Sequence, residues 1–229
     1  MEEITVSDDQ SHGFYITYLY NALAQDVLRA GGHTSLRFGE RAELVLSLPK
    51  RSDSVRARLT QVIAEVIGIG YKNAFLEKTL TAALSAREKK LLRAALIAAD
   101  YDGDIGYIIR KITPSNAYAV DGTYNFRLAR LREKWEKIVS YVPAGFSSVD
   151  LTRFCEFLVG ESRNKIYLRD NKVFGENFTP LARSKLTGEE DLETEILLSD
   201  AGFVYCLGNV SDEIGDFLQK YYAERAIFS

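Results

Sequence analysis

The sequence predicts an α+β protein with a helix-rich middle between two small sheet-bearing ends. Three observations carry this. Residues 1–48 hold short alternating runs around one helical stretch. From Asp53 to Leu158 the apolar residues recur at spacings of three and four. From Lys165 onward strand-like and helix-like segments alternate again. Period 2 and period 3.6 are the marks of strand and helix. The implied organisation is a β-α-β-β module over residues 1–49, a helical region over 50–163 and a C-terminal β-α-β-α-β unit over 164–229. The three could also form one continuous domain.

In the first module, Ile4 to Val6 form a strand. Asp9 or Ser11 caps a helix reaching Ala30, with Tyr15, Leu19, Leu23 and Val27 on its apolar face. Gly31-Gly32 ends it, since glycine accepts the left-handed conformation of helix ends. Ser35–Phe38 and Ala42–Leu48 form two strands joined by the turn at Gly39-Glu40. Leu44, Leu46 and Leu48 share one face.

Pro49 stops that strand. A helix from about Asp53 carries Val55, Leu59, Val62, Ile63 and Val66 on one stripe, and Gly68 and Gly70 bend or end it before a stretch over Tyr71–Leu84. Ser85-Ala86-Arg87-Glu88 has the form of a capping box. It opens a helix to about Ala99, and a shorter one follows over Asp104–Lys111. The clearest periodicity runs from Thr123 to Val142 through Leu128, Leu131, Trp135, Ile138 and Val142. Ser147 or Ser148 caps the next helix. Strands at Lys165–Arg169, Val173–Phe178, Phe203–Leu207 and Ala226–Phe228 alternate with helices over Glu189–Ser199 and from Ser211. Whether the first and last strands share one sheet is open at this level.

The chain has 229 residues, 46% hydrophobic and 27% charged, with a net charge of -3. That composition excludes disordered and collagenous classes. Two distant cysteines, Cys155 and Cys206, give no disulfide framework and read as small core residues. No run reaches the ~20 apolar residues a membrane helix needs, and the acidic start does not resemble a secretory signal. Cytoplasmic residence is the expectation. Charge is uneven: Lys50 to Lys172 holds 22 basic and 14 acidic residues, against 7 and 18 in the rest.

Asp100, Asp102 and Asp104 have the spacing of a calcium loop. Ile105 then stands where glycine is needed, and Lys111 where a glutamate should close the site. The better reading is an interhelical turn with Asp104 capping the next helix. Gly68-Ile69-Gly70 is too short for a dinucleotide fingerprint and follows a helix rather than a strand. His12 and His33 lie at opposite ends of the first helix, too far apart to share a metal. Glu189, Glu190, Asp191, Glu193 and Glu195 crowd one helix start, where acids suit the macrodipole and form a solvated face. No catalytic residue, cofactor or metal ligand is assigned. The strongest surface signal is a basic stripe, Arg127, Arg130, Lys134 and Lys137, at helical spacing beside the apolar one. Arg132 adds charge, and Glu133 and Glu136 offer helical partners to Lys137 and Arg132. The stripe is a candidate surface for a protein partner and, as the alternative, for nucleic acid.

The run Asp121-Gly122-Thr123-Tyr124-Asn125-Phe126-Arg127-Leu128 resembles the YtxC-like sporulation proteins of endospore-forming bacteria, in which a glycine leads into Asn-Phe-Arg-Leu at the start of a charged helix. The likeness is best from Asp121 to Phe174, where Leu151–Val159 and Asn164-Lys165-Ile166-Tyr167-Leu168 follow in the family's order. It is weaker over Arg58–Ala99 and Thr194–Glu224. Pro143-Ala144-Gly145 departs from it. The resemblance implies a role in spore formation and supplies no enzymatic activity and no catalytic residue. Gly122, Asn125, Phe126 and Leu128 are its motif residues. Phe126 and Leu128 are expected in the core, Asn125 at the helix start, and Arg127 against a carboxylate. The function expected is a non-enzymatic accessory factor that binds another protein. An enzyme using carboxylate or tyrosine chemistry is the third possibility, should distant acids converge.

Overall fold

The computed structural model describes residues 1–50, 52–188 and 190–228. The fold is α+β, with two separate four-stranded sheets, so the first and last strands do not share one. By internal contacts the chain divides into two compact units. One comprises Met1–Lys72 with Tyr101–Lys137, the other Asn73–Asp100 with Ile138–Ser229. Residues 50–163 are therefore shared between them.

In the first unit the sheet order is β2-β3-β1-β4, from β1 (Glu2–Asp9), β2 (His33–Phe38), β3 (Arg41–Leu48) and β4 (Ala117–Ala119). β1 and β3 run antiparallel from Glu2↔Leu48 to Asp9↔Arg41. Helix α1 (Gly13–Arg29) buries Ile16, Leu19, Leu23 and Val27 in the core that also takes Ile4, Val6, Leu44 and Leu46. It ends at Gly31, whose φ of 77° is the left-handed conformation expected there. β4 was not foreseen. It lies parallel to β1, pairing Val6↔Tyr118, and three residues of Ala-Tyr-Ala carry too little pattern to announce a strand.

Helix α2 (Asp53–Glu65) passes into a π-helical turn, Val66–Tyr71, and continues as α3 (Lys72–Thr79). The two glycines of that turn serve close approach. A Cβ on Gly70 would sit 2.8 Å from Cζ of Tyr15, and one on Gly68 the same distance from Cδ1 of Ile105. They reshape the helix without ending it.

Two helical expectations are corrected. The expected turn at residues 100–104 does not exist: α4 is one helix from Ala86 to Lys111. Asp104 is buried in its middle and caps nothing. The expected single helix over Thr123–Val142 is two helices, α5 (Val120–Arg127) and α6 (Ala129–Ser140). They meet at Leu128, whose φ of -116° and ψ of 29° leave the helical region. Its carbonyl accepts from Leu131 and Arg132 N–H and so opens α6. Thr123 does not cap; its hydroxyl donates to the Ala119 carbonyl.

In the second unit the Ser85–Glu88 capping box forms as expected. Ser147 and Asp150 form another at the start of α7 (Ser148–Glu161). The sheet order is β6-β5-β7-β8, from β5 (Asn164–Arg169), β6 (Lys172–Phe174), β7 (Ala201–Cys206) and β8 (Ala226–Phe228). β5, β7 and β8 are parallel and β6 is antiparallel to β5. β6 stops at Phe174, short of the expected Phe178. Ile166, Leu168, Val204 and Cys206 are buried on one face. α7 packs on β7, and α9 (Asp212–Tyr221) packs on α7. The opposite face carries Lys165, Tyr167, Phe203 and Tyr205, none of them buried.

Both cysteines are fully buried and, among the described residues, neither forms a disulfide; burial pushes the Cys155 thiol up to about 12. That suits the core role read for them.

The acidic run is corrected in part. α8 spans Leu192–Leu198, and Glu189 lies outside the described residues. Glu193 and Glu195 are buried rather than solvated. Glu193 is held by the Arg87 guanidinium, with Nε at 3.0 Å. Glu195 accepts from the backbone N–H of Arg183 at 2.9 Å and of Ser184 at 2.6 Å. Asp191 caps α8 through the Thr194 N–H, and Glu190 pairs with Lys185.

Candidate functional site

The break at Leu128 divides the basic stripe. Arg127 ends α5, and Arg130, Lys134 and Lys137 lie on α6. Among the described residues Arg127 pairs with no carboxylate; its Nη1 donates to Thr113 Oγ1 at 2.9 Å. Arg130 and Lys137 are exposed. Lys134 turns inward, placing Nζ 2.7 Å from Asp104 Oδ1. The stripe therefore ties Lys134 to a buried acid while its side chain stays 41% exposed.

The motif residues also differ from expectation. Leu128 is fully buried, as expected, and anchors the joint. Phe126 is 87% exposed, where a core position was expected. The reason is helical phase. Val120, Tyr124 and Leu128 follow each other at spacings of four along the inward side, and Phe126 falls between them on the opposite one. Asn125 lies in the last turn of α5, not at a helix start. There Arg132 satisfies the helix end, donating from Nη1 to the carbonyls of Tyr124 and Asn125, both at 2.9 Å. Its guanidinium also lies 5.3 Å from the Tyr124 ring centre. Gly122 is inside α5, and its N–H donates to Asp121 Oδ1. Asp121 also takes Arg41 Nη2 at 2.6 Å. Burial works to raise the Asp121 pKa, but the bonds from Arg41 and Gly122 outweigh it, and the carboxyl titrates below its ordinary range. The result is an exposed aromatic side chain at a rigid helix joint, flanked in sequence by Arg127 and followed by Arg130.

Two buried polar clusters were not foreseen. Asp104, 1% exposed, accepts from Lys72 Nζ at 2.8 Å, Lys134 Nζ at 2.7 Å and Trp135 Nε1 at 2.9 Å. Asp8, wholly buried at the end of β1, receives three donors on Oδ1. These are Tyr71 Oη at 2.7 Å, the Asp9 N–H at 2.7 Å and His12 Nδ1 at 3.0 Å. The same His12 Nδ1 also lies 3.1 Å from Tyr71 Oη. A row of rings joins the clusters. Tyr15 stacks on Tyr71, Tyr71 lies 4.6 Å from Tyr124, and Tyr124 lies 6.1 Å from Trp135. The strand's own alternation held the signal for Asp8. Ile4, Val6 and Asp8 share the inward face, so an acid stands where period 2 demands an apolar residue.

Chemically, the Asp8 cluster orients an imidazole against a buried acid. His12 is about a third exposed (34%). Asp8 Oδ2 is buried and has no hydrogen-bond partner among the described residues. Burial dominates, with the bonds from Tyr71 and His12 opposing it, and the Asp8 pKa is raised above its ordinary value of 3.8. The folded state thus binds this proton more tightly than the unfolded chain does. The stabilising contribution is full below about 3.8 and is lost as pH rises through the folded value. Measured by denaturant unfolding from about pH 3.5 to 5.5, wild-type stability should fall with pH relative to Asp8→Asn. A constant difference between the two proteins across that range would show that Asp8 is not perturbed.

Among the described residues no group of three His, Cys, Asp or Glu side chains is placed to hold a metal ion. No helix among them is long and apolar enough to cross a membrane. Compared with known protein families, with curated proteins and with solved structures, the chain matches none.

Proposed function

We propose that this protein is a non-enzymatic accessory factor of spore formation that acts by binding an acidic protein partner through the α5–α6 joint. The process comes from the resemblance at Asp121–Leu128. The observation that carries the binding reading is the 87% exposure of Phe126, next in the chain to Arg127 and four residues before Arg130, both exposed. A phenyl ring left in water forgoes about 1.5–3 kcal/mol of burial, and exposed aromatics with adjacent arginines are the typical anchors of protein interfaces. The joint beneath is fixed by buried Leu128 and by the Arg132 bonds, so the ring is presented without a large ordering cost.

In a pull-down from sporulating cells of the host, the wild-type chain should retain a protein that Phe126→Ala loses, and Arg130→Ala should weaken the capture in a salt-dependent way. Phe126→Ala should leave the melting temperature within about 1 °C, since it removes little buried surface. Its allele in the host should lower heat-resistant spore counts as the deletion does. Equal capture by wild type and Phe126→Ala would remove the surface, and unchanged spore counts on deletion would remove the process. The charge of the stripe alone also suits nucleic acid. Recovery of nucleic acid instead of protein, sensitive to Arg130→Ala, would replace this reading.

A further inference from the structure

The second unit carries a different surface, independent of the α5–α6 joint. On the face of its sheet opposite the buried row lies an open groove of about 760 Å³, lined among others by Arg163, Lys165, Phe203, Tyr205, Arg225 and Glu176. Strand register places Lys165 beside Phe203 and Tyr167 beside Tyr205 on the parallel pair β5–β7. The rings form a row. Tyr205 and Tyr167 lie 5.5 Å apart, and Phe178, 56% exposed, stacks on Tyr167 at 4.4 Å with an interplanar angle of 21°. Adjacent strands hold such rings roughly 4.8 Å apart.

The charge around this row is mostly positive. Arg163 and Lys165 are exposed and have no hydrogen-bond or ion-pair partner among the described residues. Among the described residues Arg225 is fixed without a carboxylate. Its guanidinium lies 5.0 Å from the Phe203 ring centre and donates to the carbonyls of Gly160 at 3.2 Å and Ser162 at 3.4 Å. Its full charge is thus held at the groove. Among the described residues Glu176 is the one carboxylate lining it.

We propose that this sheet face binds single-stranded nucleic acid, with bases stacked on Phe203, Tyr205 and Tyr167 and phosphates met by Arg163, Lys165 and Arg225. Every base has a π-face, so an aromatic row binds unpaired strands with little sequence preference, while cations follow the backbone. A sheet presenting two or three stacking rings is a recurrent solution for unpaired strands. A duplex keeps its bases stacked on one another and cannot use the row. An acidic peptide would use the cations but gain nothing from stacking.

The test uses the full chain and fluorescence anisotropy with labelled 12-nucleotide oligo(U) and oligo(dT), a duplex of equal length and a poly-glutamate peptide. Single strands should bind at low salt and weaken as salt rises, with a log–log slope near 2 for three phosphate contacts at about 0.7 each. Lys165→Gln and Arg163→Gln, both exposed and expected to melt like wild type, should each reduce the slope by about 0.7. Tyr205→Leu, which keeps an apolar side chain, should weaken binding about tenfold with the slope unchanged. Arg130→Ala, in the other unit, should change nothing. The proposal is overturned by absence of binding at low salt, by equal binding of poly-glutamate or duplex, or by loss on Arg130→Ala with Lys165→Gln and Arg163→Gln unaffected.

Discussion

Replacing Asp104 by alanine is expected to destabilise the first unit by about 3–5 kcal/mol, the range for breaking a buried ion pair from one side. Lys72 is wholly buried and Asp104 is 1% exposed. The substitution removes the carboxylate that Lys72 Nζ reaches at 2.8 Å and that Trp135 Nε1 reaches at 2.9 Å. A desolvated ammonium then loses a counter-charge at hydrogen-bond distance, where the low dielectric makes the loss largest. The chain is expected to express poorly or to melt well below wild type. Lys134→Ala should cost far less, about 1 kcal/mol or below, because that side chain is 41% exposed and water replaces the pair. The paired exchange Asp104→Leu with Lys72→Met separates charge from packing. It removes both ions together, and such exchanges range from neutral to stabilising. It should recover most of the loss in denaturant unfolding. If Asp104→Ala alone melts like wild type, the cluster contributes nothing to the fold.

Asp104 also shows where the sequence is hard to read. Three aspartates at alternate positions beside Gly103 look like a turn, yet Ile105 and Ile108 behind Asp104 are buried, and the helix simply passes through. The carboxylate is accommodated because Lys72 and Trp135, 32 and 31 residues away, supply its donors. No local window contains that. The same holds at Leu128. Its apolar spacing is continuous with Leu131 and Trp135, so periodicity joins α5 to α6. The break is held by Arg132 reaching back to the carbonyls of Tyr124 and Asn125, 7 to 8 residues away, and the outward Phe126 follows from the phase of α5. By contrast, α1 and β3 were legible because burial on one side writes itself into the spacing of Leu19, Leu23 and Val27 and of Leu44, Leu46 and Leu48. The caps at Ser85 and Ser147 were legible because they are local chemistry. Of the four stripe cations, Arg130 and Lys137 face outward as read. Lys134 does not, because its long stem spans the distance to a buried acid.

Gly202→Ala is expected to lower stability by about 3 kcal/mol, at the upper end of overpacking costs. Gly202 is the extra residue where the β5–β7 register shifts, between the pairs Asn164↔Ala201 and Lys165↔Phe203. A Cβ there would overlap the Ser162 carbonyl, with its carbon at 2.6 Å and the Arg163 nitrogen at 3.1 Å. These are backbone atoms and cannot rotate away. Ser162 is also pinned, since its hydroxyl donates to the Asp200 carbonyl at 2.6 Å, so strain would spread along both strands. For a chain of this size the melting temperature should fall by roughly 6–12 °C. Gly215→Ala supplies the contrast. Gly215 lies inside α9, and a Cβ there meets nothing within 4 Å. Alanine at that position should raise stability by about 0.5–1 kcal/mol through helix propensity alone. Opposite signs at two glycines of the same unit separate steric contact from backbone freedom as the cause. A Gly202→Ala protein that melts with wild type would mean the two strands can part at the shift. Because Arg225 donates to the carbonyls of both Ser162 and Gly202, the same substitution should also loosen the cation at the groove. Any single-strand binding there would then fall along with the melting temperature, whereas Gly215→Ala should leave it intact.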